Sequence, residues 1–236
     1  MLFFYIRHGD PIYSPDSLTP LGELQAEALA KRLALYGIDK IYASTSERAK
    51  MTAAPTAALL KKEVTELDFA NEGHAWRGLT INADGRMRWL FQHEKTRALF
   101  HKKELRELGD KWYEHPAFKE YNYKKEMQRI RRETNAFFTS LGYTYKVDGK
   151  YKVVKESDER VALFAHQGFG LAFLSAVLGI PYPTFSTCFD FGHSGLTVIE
   201  FKNEGGYAYP RVLTFANDSH LYREGLPTKY QNQIYF

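Results

Sequence analysis

Short apolar segments alternate with helical patterns along much of the chain, and this alternation limits the possible folds more than any other feature. Leu2 to Ile6 predicts a buried strand, and Ile38 to Ser44 and Arg160 to Ala165 predict two further core strands. Helical patterns follow each of these strands. Strands that alternate with helices build a mostly parallel sheet covered on both faces. The sequence therefore predicts an α/β protein with a three-layer α/β/α sandwich.

Typical capping residues mark both ends of the first predicted helix. Thr19 is a good N-cap, Pro20 follows it at the first helical position, and Gly37 stands just past the last apolar residue. The next helical pattern, residues 49–60, contains Pro55, which should kink the helix. Between the first strand and the first helix, residues 10–18 are rich in turn-forming residues and predict a loop.

The regular alternation stops after a short predicted strand at residues 64–67. Residues 79–141 carry mostly helical patterns and predict a helical insertion. Asp148-Gly149 predicts a hairpin turn between two short strands, and residues 196–201 and 207–215 predict the last two strands. Because no linker or repeat interrupts the sequence, residues 1–236 predict one domain.

The composition is that of an ordinary globular protein and excludes several classes of function. The 236 residues are 44% hydrophobic and 25% charged, with a net charge of +4, and acids are mixed among the basic residues. This charge distribution does not require a nucleic-acid partner. A single cysteine, Cys188, excludes an internal disulfide, and no apolar run is long enough to span a membrane. We expect a cytoplasmic enzyme or binding domain, and nothing in the sequence indicates its oligomeric state.

Polar side chains collect where the predicted core strands end. The first strand runs into Arg7, His8 and Gly9, the second leads to Arg48, and Arg160 to Ala165 is followed by His166. The carboxyl ends of the strands form the ligand crevice in open α/β sheets. Arginines, histidines and a helix start at one crevice predict an anion site, with phosphate as the natural ligand.

A histidine held among cations resists protonation and keeps a nitrogen lone pair near neutral pH. Such a nitrogen can attack the phosphorus of a bound ester and form a phosphohistidine. The arginines and the second histidine would stabilise charge on the transferred oxygens. The sequence therefore favours a site for phosphoryl transfer over a site that only binds.

Several stretches together resemble the histidine phosphatase superfamily, which has the phosphoglycerate mutase-like fold. In chain order they are FYIRHGD, LTPLGELQAEALAKRL, IYASTSERAKMTA, LFAHQGFGLAFL and FANDSHL. RHG alone is a weak signal, but these stretches in this order are a specific pattern. The resemblance covers most of the chain outside residues 79–150. It implies a metal-independent phosphomonoester hydrolase that needs no cofactor and acts on a small phosphorylated substrate.

The resemblance also implies roles for individual residues. His8 would be the nucleophile, and Arg7, Arg48 and His166 would complete the phosphate pocket. The family uses an acid after the third strand to protonate the leaving oxygen, and Glu72 in FANEGHAWRG is the first choice. Glu66 in TELDF is the alternative, because another branch of the family has a Glu-x-Asp-Phe pattern. Four further residues are predicted to contact the substrate: Gly9, Gln167, Gly168 and His193.

The sequence departs from the family pattern in ways that bear on the reaction. Gln167 follows the second histidine where relatives more often have glycine, and Asp10 stands where many have glutamate. No mutase-type proline-rich segment occurs in the insertion, which favours hydrolysis over a phosphoglycerate-type mutase reaction. A non-catalytic phospholigand-binding module is a further alternative. A metal hydrolase using His8, His166 and His193 is disfavoured, because no carboxylate stands at metal-ligand spacing and two arginines would repel a cation.

Overall fold

The computed structural model describes residues 1–147 and 149–228. Strands and helices alternate in the first part of the chain, as expected, and the insertion and the C-terminal part add shorter elements. The strands are β1 (Leu2–Arg7), β2 (Pro11–Tyr13), β3 (Asp16–Leu18), β4 (Lys40–Ser44), β5 (Val64–Leu67), β6 (Thr80–Ala83), β7 (Arg86–Trp89), β8 (Tyr143–Tyr145), β9 (Tyr151–Val153), β10 (Arg160–Ala165), β11 (Leu196–Glu200), β12 (Tyr207–Ala208) and β13 (Arg211–Asn217). The α-helices are α1 (Pro20–Tyr36), α2 (Glu47–Leu60), α3 (Glu72–Gly78), α4 (Glu94–Phe100), α5 (Lys103–Arg106), α6 (Tyr123–Ser140), α7 (Gln167–Leu178), α8 (Tyr182–Cys188) and α9 (Ser219–Arg223).

Six strands form the central sheet, in the order β13-β11-β1-β10-β4-β5. β1, β10, β4 and β5 pair in parallel, β11 is antiparallel to β1, and β13 is antiparallel to β11. The predicted mostly parallel sheet is therefore confirmed. Because β1, β10 and β4 are parallel neighbours, their carboxyl ends meet at one edge of the sheet.

The side chains of β1 alternate between two apolar clusters, one on each face of the sheet. Phe3 and Tyr5 belong to a large apolar cluster that also contains residues of α6 and α7, such as Phe138 and Phe173. Phe4 and Ile6 belong to a second cluster, with residues of α1 and α2. Since successive side chains of a strand point to opposite faces, helices cover both sides of the sheet. This is the three-layer sandwich predicted from the sequence.

The capping prediction for α1 is confirmed at both ends. The Thr19 side chain accepts a hydrogen bond from the N–H of Gly22 at 3.0 Å. At the other end Gly37 has a φ of 71°, and its N–H donates to the carbonyl of Leu33 at 3.1 Å. The start of α1 packs tightly on the loop after β1, because a Cβ at Gly9 would lie 2.6 Å from the carbonyl oxygen of Gly22. This close approach fixes the loop that carries His8.

Two segments contain hairpins that the sequence analysis did not predict. Residues 10–18, expected to be a loop, contain the paired strands β2 and β3. The insertion at residues 79–141 is not wholly helical, because it begins with the hairpin of β6 and β7. Asp84 and Gly85 form its turn with φ values of 54° and 77°. Positive φ at both central residues is typical of a type I′ hairpin turn, for which Asp-Gly is a strong sequence signal.

The C-terminal strands also differ from the prediction in one respect. The segment expected to be a single strand over residues 207–215 is divided at Tyr209-Pro210 into β12 and β13. β12 pairs with β9, whereas β13 lies at the edge of the central sheet. β8 and β9 pair as expected, and Asp148 in their predicted turn lies outside the described residues. None of the helices in the described part of the chain is long and apolar enough to cross a membrane.

Candidate active site

The carboxyl edge of the sheet brings together the residues predicted from the strand ends. Arg7 is the last residue of β1 and His8 follows it, while His166 follows β10 and Arg48 lies in the first turn of α2. The ring centroids of His8 and His166 are 5.2 Å apart. His193, from the loop before β11, lies 5.8 Å from His8 by the same measure. One cluster therefore contains these five side chains.

His8 is held in one orientation by its neighbour in the chain. Its Nδ1 lies 2.7 Å from the carbonyl oxygen of Gly9, and a carbonyl oxygen can only accept, so Nδ1 carries the proton. In the neutral ring the lone pair is then on Nε2. Burial lowers the pKa of His8 well below its ordinary value, and His166, Arg7 and Arg48 lower this pKa further. His8 is thus a neutral imidazole near neutral pH.

Arg7 is 2% exposed and is fixed by contacts to the segment before β11. One terminal nitrogen donates to the carbonyl of Phe191 at 2.5 Å, and the other donates to Nε2 of His193 at 2.9 Å. Because Nε2 of His193 accepts, its Nδ1 carries the proton and faces Oδ1 of Asp10 at 3.2 Å. These contacts hold a positive charge beside His8 in a rigid geometry.

Arg48 is paired with two carboxylates in this structure. Its two terminal nitrogens donate to Oδ1 of Asp16 at 2.7 Å and to Oε2 of Glu72 at 3.2 Å. Asp16, on β3, also accepts from the N–H of Glu47 at the start of α2, at 2.8 Å. The β2–β3 hairpin therefore positions the guanidinium through Asp16, a residue that the sequence analysis did not select.

Glu72, and not Glu66, lies in the cluster. The second oxygen of Glu72 accepts from the N–H of Gly168 at 2.9 Å, and Oε2 lies 3.7 Å from Nδ1 of His166. Glu66 is on β5, where its side chain is 49% exposed and lies 3.8 Å from the Lys50 Nζ. The geometry thus separates the two acids that the sequence left as alternatives, with Glu72 beside the histidines.

The position of His166 depends on two residues that the sequence analysis missed. Its Nε2 lies 2.8 Å from the hydroxyl of Ser44, the last residue of β4. Its backbone carbonyl accepts from the hydroxyl of Tyr5 at 2.6 Å, and its N–H donates to the same hydroxyl at 3.3 Å. Burial, followed by the charges of Arg48 and Arg7, lowers the pKa of His166 well below its ordinary value. Ser44 could have been found, because it is the first polar residue at the end of its strand.

The four predicted substrate contacts have different surroundings in the structure. The N–H of Gly9 donates to Thr52 at 3.0 Å and its carbonyl accepts from His8. Both backbone groups of Gly9 are therefore used in hydrogen bonds within the protein. The N–H of Gly168 is used by Glu72. The Gln167 amide donates to Asp190 at the border of a neighbouring cavity. Only His193 joins the histidine cluster through its side chain.

The expectation from the sequence that no carboxylate stands at metal-ligand spacing is wrong. A carboxylate does lie at metal-ligand spacing, because ligand atoms of His8, Glu72 and His166 all lie within 4.8 Å of one another. Both oxygens of Glu72, however, already accept hydrogen bonds, from Arg48 and from the N–H of Gly168. His193, the third ligand considered from sequence, is engaged with Arg7 and Asp10. The positive charge of Arg48 on the Glu72 carboxylate opposes the binding of a cation there.

The cluster is better suited to an anion. Among the described residues, Nε of Arg7, Nε of Arg48 and Nδ1 of His166 are buried and have no hydrogen-bond partner in the protein. Burying polar atoms without partners costs free energy, and arginine nitrogens can only donate. An anion with several acceptor oxygens is the ligand class that this arrangement of donors fits.

His220 lies behind the cluster and is buried. Its Nε2 lies 2.9 Å from the hydroxyl of Ser194, whose N–H donates to the carbonyl of His8 at 3.0 Å. Burial, with a smaller contribution from Arg32, lowers the pKa of His220 to about 4. The unfolded chain therefore binds a proton that the folded protein does not, between about pH 4 and the ordinary pKa of 6.5.

This difference predicts that the protein loses stability as the pH falls below 6.5. His8 and His166, whose pKa values are also lowered, should add to the effect. In His220→Gln the free energy of unfolding should depend less steeply on pH, by up to about 1.4 kcal/mol per pH unit. Urea unfolding at pH 7, 6 and 5 measures both slopes. Equal slopes in the two proteins would show that His220 does not titrate as its burial requires.

Residues 4–114 match the family model described as the histidine phosphatase superfamily (branch 1). Over this range the chain is similar to the histidine phosphatase superfamily. The resemblance found from the sequence motifs is thereby confirmed. The matched range includes Arg7, His8, Arg48 and Glu72, and His166 lies beyond it. A search of the curated proteins found no match to the sequence.

Solved structures of phosphatases share the fold. A mutant phosphoserine phosphatase from Entamoeba histolytica, in complex with phosphoserine, is 17% identical, with a TM-score of 0.62. The match covers 93% of this chain and 98% of that chain. A mycobacterial glucosyl-3-phosphoglycerate phosphatase is 19% identical, with a TM-score of 0.59, and the match covers 91% of this chain and 98% of that one. At this identity the likeness establishes the phosphoglycerate mutase-like fold.

Proposed function

We propose that the protein is a phosphatase that hydrolyses a phosphomonoester through a phosphohistidine on His8. The observation that carries this proposal is the orientation of His8, whose Nδ1 donates to the Gly9 carbonyl and whose Nε2 therefore keeps a lone pair. The lowered pKa of His8 maintains this state near neutral pH. The match of residues 4–114 to the family model and the phosphatase structures that share the fold add support.

The reaction would proceed in two steps. In the first, Nε2 of His8 attacks the phosphorus, and the bond between phosphorus and the alcohol oxygen breaks. Arg7, Arg48 and His166 stabilise the charge on the phosphoryl oxygens, and Glu72 gives a proton to the leaving alcohol. In the second step Glu72 removes a proton from a water molecule, which attacks the phosphohistidine and releases inorganic phosphate and free His8.

A panel of phosphorylated metabolites, phosphopeptides and nucleotides, assayed for phosphate release with and without a chelator, tests this function. We expect release from at least one ester, unchanged by the chelator, because the proposed mechanism needs no metal ion. Transfer of phosphate between esters without release would instead indicate a mutase. Binding of phosphate without turnover of any ester would indicate a non-catalytic module. Loss of activity with the chelator would contradict the metal-independent mechanism.

A further inference from the structure

A cavity of about 370 Å³ opens beside the phosphate pocket. Its lining combines two groups of the proposed mechanism with three aromatic side chains and a glycine: Arg48, Glu72, Tyr13, Trp76, Trp89 and Gly73. We call the part formed by Tyr13, Trp76 and Trp89 the aromatic vestibule. Since Glu72 would protonate the leaving oxygen, the alcohol part of a substrate must pass beside this carboxyl, and the cavity is the space that adjoins it.

Three separate segments supply the rings of the aromatic vestibule. Trp76 comes from α3 and Trp89 from the end of β7, with ring centroids 5.0 Å apart and planes at 83°. Tyr13, from the β2–β3 hairpin, lies with its ring 5.3 Å from the Arg48 guanidinium carbon. Trp76 is 37% exposed and Tyr13 is 64% exposed, so both present apolar surface to a molecule in the cavity.

Trp89 is held firmly from two sides. It is only 8% exposed, and its ring stacks on that of Phe91 with centroids 5.7 Å apart. The ring also lies against Gly168 at the start of α7, where a Cβ would collide with the indole. A glycine at this position thus lets the indole lie against the helix that follows His166. Trp89 therefore joins the vestibule to the helix that follows His166.

The charges of the cavity are those of the phosphate pocket. Arg48 and Glu72 are its two charged lining residues, and the proposed reaction uses both. The remaining lining can contribute only apolar and aromatic contact, apart from the tyrosine hydroxyl and the indole N–H groups. A neighbouring cavity of about 470 Å³ differs, because Arg88, Arg97 and Gln167 make it polar. That second cavity would suit a substrate with a second anionic group.

From these contacts we infer that the aromatic vestibule binds a flat, apolar ring in the alcohol part of the substrate. The substrate class would then be phosphomonoesters of ring-bearing alcohols, in preference to small aliphatic or doubly anionic esters. This inference rests on the proposed function for the placement of the phosphoryl group. The binding free energy of a ring becomes more favourable through its buried apolar area and through edge-to-face contact with other aromatic groups.

Binding of three non-hydrolysable phosphonates to the full chain tests the inference without turnover. Benzylphosphonate carries a ring, ethylphosphonate does not, and 2-carboxyethylphosphonate carries a second anionic group. Calorimetry should give a Kd for benzylphosphonate about ten-fold lower than for ethylphosphonate. In Trp76→Ala and in Tyr13→Ala, this ratio should fall at least about three-fold, with the Kd of ethylphosphonate unchanged. Tyr222→Ala removes an 89% exposed ring elsewhere and should keep the ratio of the parent protein.

Three results would overturn the inference: equal affinity for the benzyl and ethyl compounds, a ratio unchanged in both vestibule variants, or preference for 2-carboxyethylphosphonate. The third would assign the alcohol part to the cavity with Arg88 and Arg97. Failure to bind any phosphonate would overturn both the vestibule and the phosphate pocket. Benzylphosphonate binding by the vestibule, without hydrolysis of benzyl phosphate or of any ester in the panel, would refute the proposed function and leave this inference standing.

Discussion

Replacing His8 with alanine should lower phosphatase turnover by about 10⁴-fold or more, because no neighbouring group can replace the nucleophile. In the structure His8 is the imidazole whose Nδ1 is fixed by the Gly9 carbonyl, beside Arg7 and Arg48. His166, whose Nε2 lies 2.8 Å from the Ser44 hydroxyl, has a different proposed role, to stabilise charge on the phosphoryl oxygens. Turnover of an ester found in the panel, measured for both proteins under the same conditions, gives the loss.

A covalent label makes this result specific. Quenching the parent protein during turnover, without acid, should leave a labile phosphate on the peptide that contains His8, and mass spectrometry would detect it. His101→Ala, at the exposed end of α4, is a suitable control and should keep both label and activity. Label on a serine or an aspartate, or full activity in His8→Ala, would contradict the mechanism. Unchanged circular dichroism would establish that the variant is folded.

The sequence predicted the parts of the molecule that follow from local patterns. β1 is a continuous apolar segment, so its burial and its end at Arg7 could be predicted from the residues alone. The same holds for α1, whose ends are marked by Thr19 and Gly37. Because parallel strands end at one edge, the meeting of Arg7, Arg48 and His166 also followed from the order of strands and helices. A correct prediction of the strand order was therefore enough to predict where these site residues meet.

Contacts between distant segments could not be predicted in the same way. Asp16 accepts a hydrogen bond from Arg48, which is 32 residues away in the sequence. Nothing in the local pattern of either residue encodes this pairing. The β2–β3 hairpin that carries Asp16 is short and lies in a segment rich in turn residues, so it resembles a loop. The hairpin of β6 and β7 did have a local signal, Asp84-Gly85, which the helical patterns around it obscured.

The choice between Glu72 and Glu66 also depended on tertiary structure. Both acids lie in patterns that match branches of the family, and only their distance from the histidines separates them. β5 ends at Leu67, so Glu66 stays on an edge strand beside Lys50. Asn71 caps α3 by accepting from the N–H of Gly73 at 2.9 Å, and this cap sets the start of the helix at Glu72. The N-cap thus turns Glu72 toward the cluster, in contact with Arg48.

Glu72→Gln should slow the hydrolysis of alkyl phosphates by about 10² to 10⁴-fold, because an amide cannot protonate the leaving oxygen. Aryl phosphates with good leaving groups need little protonation, so their first step should be affected much less. The amide keeps the size of the side chain and an oxygen that can accept from Arg48 or Gly168, which limits any structural change. Steady-state rates with an alkyl ester and the initial burst of 4-nitrophenol from 4-nitrophenyl phosphate separate the two cases.

The matched control is Glu66→Gln, which makes the same chemical change at the other candidate acid. Glu66 is half exposed and paired with Lys50, so this variant should hydrolyse both classes of ester at the parent rate. In Glu72→Gln the phosphohistidine should also persist longer, because the base that activates water has been lost. If Glu66→Gln shows the leaving-group dependence and Glu72→Gln does not, the assignment is reversed. If both variants slow alkyl and aryl esters equally, neither carboxyl protonates the leaving group, and the contact of Glu72 with Arg48 is then structural.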